Sequence, residues 1–378
     1  MKTVAIVSLA AITLSAAELT GPAQGNGPFT VHEWGTFTSV AGETGSPVAW
    51  APLYGAPDLP CFVEHIGTVS KWQITGLVRM ETPVLYFYSN QPLTLSVRVD
   101  FPQGTITEWY PRASRVTPNS AEPGGPVYRK GSIAWDAVHV LPGANLEFPS
   151  SHGASRYYAA RQTDAAPLRI GQQQEKLLFY RGVASFAPPL RPSYASDGTL
   201  EIRNAGARPI PLAILFENHG GKIGYAVARN IDELVRLHPP ALTSDLGRLR
   251  TELSADLVGL GLYPKEAAAM LETWRDSWFE EGTRVLYLMP RESVDSLLPL
   301  SVTPAPAETV RVFVGRVEIL SPATRQTLEE AADRGDSLTL EKFGRFLGPF
   351  AGRLHLPAAK IQSALAQLAR NSANSCIQ

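Results

Sequence analysis

Nine consecutive residues, Leu93–Phe101, alternate without a break. Leu93, Leu95, Val97, Val99 and Phe101 point one way, and Thr94, Ser96, Arg98 and Asp100 the other. A strand with one apolar and one wet face belongs in an antiparallel sheet whose dry side is covered. The chain must therefore supply a second layer to bury that side. Further strands are expected at 29–40, 79–88, 105–110, 133–141 and 176–181. A meander is expected over Thr199–Arg203, Ile210–Glu217 and Lys222–Ala228, separated by turn-forming Asn, Gly and Pro residues. Many short strands between Pro- and Gly-rich connections predict an antiparallel β-sandwich-like body over 29–229.

The pattern changes at Asn230. A short helix is expected over 231–237, then a helical hairpin, Ser244–Leu260 and Pro264–Phe279, broken at Gly259-Leu-Gly261. Segment 230–282 thus reads as an insertion in, or a lid over, the β body. Strands return over 283–320, at Thr283–Met289 and Val310–Leu320. Segment 321–378 is helical again: Ser321 caps a helix with Pro322 at its first position, Gly335 ends it, and helices at 339–348 and 357–370 follow. The expected class is mainly β with α additions (α+β).

Ahead of the body, Met1-Lys2 and the apolar run Val4–Leu14 lead into Ser15-Ala16-Ala17, the order of a cleavable signal peptide over 1–17. The run is shorter than the roughly 20 residues that span a bilayer. A protein exported to the periplasm or beyond is expected, with a Gly/Pro-rich leader at 18–28 and no transmembrane span after cleavage. Removing Lys2 turns 34 basic and 35 acidic residues into 33 and 35. That near-neutral balance argues against nucleic acid as a partner. In an oxidising compartment Cys61 and Cys376 are candidates for a disulfide.

Familiar catalytic motifs are missing. There is no GxSxG elbow, and His32-Glu33 lacks the second histidine of HExxH. Asn218-His-Gly-Gly-Lys222 has Ile223 where a phosphate loop needs Ser or Thr, so it reads as a turn. No GxGxxG precedes a helix, and the seven histidines form no ligand pair. No metal site and no particular cofactor is indicated.

Four segments nonetheless carry polar residues that a plain strand or helix would not need. In Val31–Thr38, Glu33 shares a face with Phe29, Val31 and Phe37, where desolvation prepares a carboxyl for acid–base work unless an arginine answers it. His32 and Trp34 face the other way, and Gly35 is a candidate bulge. Arg79 and Glu81 precede an apolar strand whose Pro83 suggests an edge or an opening. Arg181 ends a strand against Gly182, where a guanidinium can grip a carboxylate or anion with two parallel bonds. Trp274 and Trp278 share a helix face, and Glu280-Glu281 fall at the helix C-terminus, where the macrodipole disfavours them and a partner such as Arg284 is expected.

The segments His32–Thr38 (HEWGTFT), Met80–Phe87 (METPVLYF), Phe179–Gly182 and Trp274–Arg284 (WRDSWFEEGTR) resemble those of a group of uncharacterised secreted bacterial proteins, over roughly 29–320. The resemblance implies no activity; it implies that these segments belong together.

Two functions of different class follow. The preferred expectation is a binding or structural envelope protein, with glycan or another envelope protein as partner. The alternative is a carboxylate-dependent hydrolase of glycan or ester, with Glu33 and Glu281 as its pair. In either, His32, Trp34, Arg79, Glu81, Arg181, Trp278 and Arg284 are the candidate binding residues. A metal-dependent variant would use His32 or His65.

Overall fold

The computed structural model describes residues 28–53, 58–66, 74–118, 130–151 and 155–371. The signal peptide, the leader up to residue 27 and Cys376 lie outside them. The strands are β1 (Thr30–Val40), β2 (Glu64–His65), β3 (Val78–Tyr88), β4 (Leu93–Phe101), β5 (Gly104–Tyr110), β6 (Arg115–Thr117), β7 (Gly131–Val140), β8 (Leu168–Ile170), β9 (Gln173–Glu175), β10 (Leu178–Ala184), β11 (Leu190–Tyr194), β12 (Leu200–Asn204), β13 (Ile210–His219), β14 (Lys222–Ile231), β15 (Leu234–Leu237), β16 (Gly282–Leu288), β17 (Leu300–Thr303) and β18 (Glu308–Ile319). The helices are α1 (Leu246–Gly259), α2 (Pro264–Thr273), α3 (Arg275–Trp278), α4 (Arg291–Leu297), α5 (Pro322–Arg334), α6 (Ser337–Glu341), α7 (Leu347–Arg353) and α8 (Ala358–Asn371).

The fold is α+β and mainly β. A nine-stranded sheet runs in the order β14-β13-β16-β18-β1-β3-β10-β5-β2. Every pairing in it is antiparallel except β1 with β18, which run parallel at its middle. A second sheet, β17-β4-β7-β8-β9 with β6 on β7, lies over one face, and the small sheet β11-β12-β15 extends that layer. The alternating strand behaves as its pattern requires. Leu93, Leu95, Val97, Val99 and Phe101 are buried in the core shared with Val31, Phe37, Leu85 and Leu178, while Thr94, Ser96, Arg98 and Asp100 retain exposure.

The opposite face is covered by α1–α3 and a 3-10 turn at Arg156–Arg161. Leu249, Leu253, Met270, Trp274 and Trp278 pack there on Trp34, Tyr86, Phe179 and Phe216. The helices after β18 build a third core on Val40, Trp50 and Leu320, which closes one end of the sheet. Ser321 accepts the Thr324 amide at the start of α5, and Gly335 ends it at φ 67°. No helix among the described residues is long and apolar enough to cross a membrane.

Six local expectations are corrected. The helix expected at 339–348 is instead α6, a 3-10 turn at Gly344–Phe346 and α7, and the expected meander is split because β12 joins the small sheet while β13 and β14 pair in the large one. Residues 234–237 form β15 on the edge of β12, so the expected helix at 231–237 is absent. An apolar run this short does not separate helix from strand by its period, and the open edge of β12 decides. The helix begun at Pro264 ends at Thr273, and Arg275–Trp278 forms a separate turn. β1 runs unbroken, and the bulge sits opposite Gly35 in β3, where both Thr82 and Pro83 face that single residue. Gly35 is needed there because a Cβ would lie 2.8 Å from Phe313 and 3.1 Å from Pro83. Pro83 therefore marks a bulge within a central strand, since β3 lies between β1 and β10.

Candidate functional site

Polar side chains are buried on both faces of the large sheet. On the sandwich face Glu33 is fully buried. The parallel register sets Arg311 of β18 directly abreast of it. Arg311 Nε donates to Glu33 at 2.6 Å, the Tyr180 hydroxyl donates to the other carboxylate oxygen, and Arg311 Nη1 continues to Asp295 at 2.8 Å. Burial disfavours the Arg311 cation, but Glu33 outweighs it and holds the guanidinium more firmly charged than usual. Glu33 is thus answered by a buried arginine and a tyrosine, and Arg311 reaches the surface through Asp295.

Glu281 belongs elsewhere. Its two oxygens accept the Gly220 amide at 3.1 and 3.0 Å, with His219 at 3.9 Å. The two carboxylates share no partner, and the structure does not bring them to one cleft, contrary to the geometry expected of a hydrolase pair. The reason is topological: Glu33 points into the sandwich, whereas Glu281 caps the β13–β14 turn.

The remaining arginines converge on the other face, where β1, β3, β10, β16 and β18 meet the C-terminal helices. Thr38 stands between Arg79 on β3 and Arg316 on β18, and Thr36 lies abreast of Glu81. Arg284 donates to Glu318 at 2.7 Å and to the carbonyls of Trp278, Glu280 and Glu281, so it serves the helix end expected to need it. Arg316 bridges Glu318 at 2.6 Å and Glu280 at 2.5 Å. Arg345 grips both Glu81 oxygens at 2.7 and 3.1 Å and lies over Trp50 and Phe346. Burial would raise the Glu81 carboxyl, but Arg345 and Arg79 bring it down to about 2.

At the far end of this lattice Arg181 forks onto Asp58, with Nη1 and Nη2 at 2.9 and 2.8 Å from its two oxygens. Arg181 lies within β10, not at its end, and both strands beside it are bulged there. β3 carries the Thr82-Pro83 bulge, with Thr82 at φ 47°, and β5 carries an extra residue at Thr107. Gly182 is required because a Cβ would approach Thr105 O to 2.5 Å. Bulges are enriched beside functional sites, and a left-handed threonine persists only where its surroundings impose it.

His32 and Trp34 share the helix-covered face but lie away from the lattice. His32 Nδ1 is 2.7 Å from Glu266 of α2, both buried. Glu266 also accepts the Tyr88 hydroxyl and the Tyr263 amide, each at 2.8 Å. Tyr88 and Tyr263 meet edge-to-face at 4.8 Å, and His32 touches both rings. Tyr88 also lines a cleft of about 530 Å³ with Thr30, Ser89, Asn90 and Asp164. Trp34 and Trp278 are wholly buried in the helix-side core, so neither offers a ring to a ligand.

Among the described residues no group of three or more His, Cys, Asp or Glu side chains is placed to hold a metal ion. His65 is exposed, its Nδ1 3.2 Å from Ile66 O. The sequence reading missed Asp58, Tyr88, Tyr263, Glu266, Arg311, Arg316, Glu318 and Arg345. Of these, Arg311, Arg316 and Glu318 carried a signal, as charges within an apolar strand. No protein-family model matches this chain, and no curated protein matches it.

Proposed function

We propose that this chain is an exported binding protein of the bacterial envelope, and that it holds a polyhydroxylated ligand of the glycan class in the cleft beside Tyr88. The observation that carries this reading is the make-up of the cleft: an aromatic face braced by Tyr263 and His32, next to the hydroxyl, amide and carboxylate of Ser89, Asn90 and Asp164. Sugar rings stack on aromatic faces through their C–H groups and use such polar neighbours for orientation. Asp164 is held by Lys265 at 2.5 Å, which leaves the lining close to neutral and suits an uncharged glycan. The export signal in residues 1–17 and the resemblance to secreted bacterial proteins support the compartment, and a Cys61–Cys376 bridge belongs to the same proposal.

Calorimetric titration with cellotetraose and chitotetraose tests the site. Tyr88→Ala should weaken binding at least about tenfold, equivalent to roughly 1.4 kcal/mol, while Tyr88→Phe should retain most of it. Equal affinity in wild type and Tyr88→Ala, or no binding of either sugar, refutes the glycan reading. Mass spectrometry of the protein from bacterial cells should find Glu18 at its N-terminus and Cys61 linked to Cys376; an intact Met1 would refute export.

A further inference from the structure

We infer that the Arg79–Arg181–Arg345 cluster is a binding site for a small oxyanion, carboxylate or phosphate, and that Asp58 occupies it as an internal, displaceable stand-in. The ligand's oxygens would take the positions now held by the Asp58 carboxylate.

The charges motivate this first. Arg79 lies within electrostatic reach of Arg181, Arg345, Asp58 and Glu81, and Arg181 within reach of Asp58, Glu81 and Glu108. Glu81 lies on β3 and Glu108 on β5, at 1% and 3% exposure, so both are part of the sheet. Asp58 belongs to no strand or helix, and its side chain keeps 50% of its surface open. Asp58 is thus the carboxylate of this set that lies outside the sheet, and withdrawing it leaves the Arg181 fork without its carboxylate.

Geometry adds to this. The Arg181–Asp58 contact is the end-on fork that arginine makes with a carboxylate or phosphate of a ligand. Arg79 Nη2 approaches the same Asp58 oxygen at 3.6 Å, so a second guanidinium faces the same position. Arg79 Nε and Arg181 Nε are buried without a hydrogen-bond partner, as are Thr36 Oγ1 and Thr38 Oγ1 on β1, abreast of Glu81 and Arg79. All four can donate. Buried donors are normally paired, so these four are donors that a water or an anion beside the fork could satisfy. Burial together with Arg181 and Arg345 lowers Arg79 to about 10, below an ordinary arginine, despite Glu81 and Asp58 beside it. The bulges in β3 and β5 and the left-handed Thr82 fall on this same spot.

This site is separate from the Tyr88 cleft, and either can fail without the other. The test is titration of the full chain at low ionic strength with sodium phosphate, sodium acetate and sodium glucuronate, with sodium chloride at matched ionic strength as control. Asp58→Asn removes the internal competitor but keeps its shape, so it should bind an oxyanion at least about tenfold more tightly than wild type. Arg181→Met should abolish that binding in the Asp58→Asn background. Tighter binding of phosphate than of the two carboxylates assigns the ligand as a phosphate; the reverse assigns a carboxylate. Equal or weaker oxyanion binding by Asp58→Asn, or binding no stronger than chloride, overturns the proposal. If Asp58→Asn fails to fold, the wild type decides: phosphate should shift the NMR carboxyl signal of Asp58 saturably, and an unmoved signal refutes displacement.

Discussion

The Glu33–Arg311 and Asp58–Arg181 pairs use the same two functional groups on opposite faces of one sheet, and they differ in what surrounds them. Glu33 and Arg311 have 0% and 1% of their side chains exposed, and both come from central strands locked abreast. Arg181 is 3% exposed, but its partner reaches it from outside the sheet and is 50% open. In the first pair both members are fixed in central strands and neither is open to solvent. In the second, one member can leave. Burying an ion pair commits it to structure, while leaving one end open makes the same chemistry available for recognition.

That contrast can be broken by mutation, most severely at the closed pair. Glu33→Ala should cost about 3–5 kcal/mol of folding stability, because it leaves Arg311 buried with only Asp295 at its edge. Urea melts measure this; a loss under about 1 kcal/mol would show that the sandwich-side pair is no more committed than a surface one. Arg345→Met comes next, at about 2–3 kcal/mol, since Glu81 keeps only the looser contact with Arg79 at 3.7 Å.

The same substitution has a pH signature. The Glu81 carboxyl is held at about 2 in the folded protein against an ordinary 4.5. A depressed carboxyl contributes stability that is complete above the unfolded value and is lost as pH falls toward the folded one. Wild-type melts should therefore lose stability between about pH 4.5 and 2, and Arg345→Met should lose less over that window. Parallel curves for the two proteins would detach Arg345 from Glu81. The smallest effect belongs to Asp58→Ala, about 1 kcal/mol, because water can enter where the carboxylate stood. Added phosphate should restore that loss, and a deficit as large as that of Glu33→Ala would erase the distinction between the two pairs.

Legibility in the sequence followed the range of the interactions. The strand Leu93–Phe101, the Ser321-Pro322 helix start and the Gly335 stop rest on neighbours a few residues apart, and each stands in the structure. Arg79, Glu81, Arg181 and Arg284 were recognisable because charges flanking apolar strands need partners. Their partners were not recognisable. Asp58 lies 123 residues from Arg181, and Arg345 lies 264 from Glu81. The cleft beside Tyr88 was missed for a related reason: Tyr88 ends an apolar strand and Tyr263 begins a helix, and nothing local indicates that they touch.

The sequence by itself determined the alternation that makes the body a layered β structure, the turn-rich punctuation, and the helix that starts at Ser321-Pro322 and stops at Gly335. The tertiary structure alone decided that β1 and β18 run parallel at the sheet's middle, and so that Arg311 neutralises Glu33 across 278 residues. It also decided that the bulge falls in β3 and that 234–237 join a sheet edge. Periodicity and capping are fixed by steric and hydrogen-bonding preferences within a turn or two. Strand partner and register depend on which distant surfaces bury each other, and that is an energy of the whole chain.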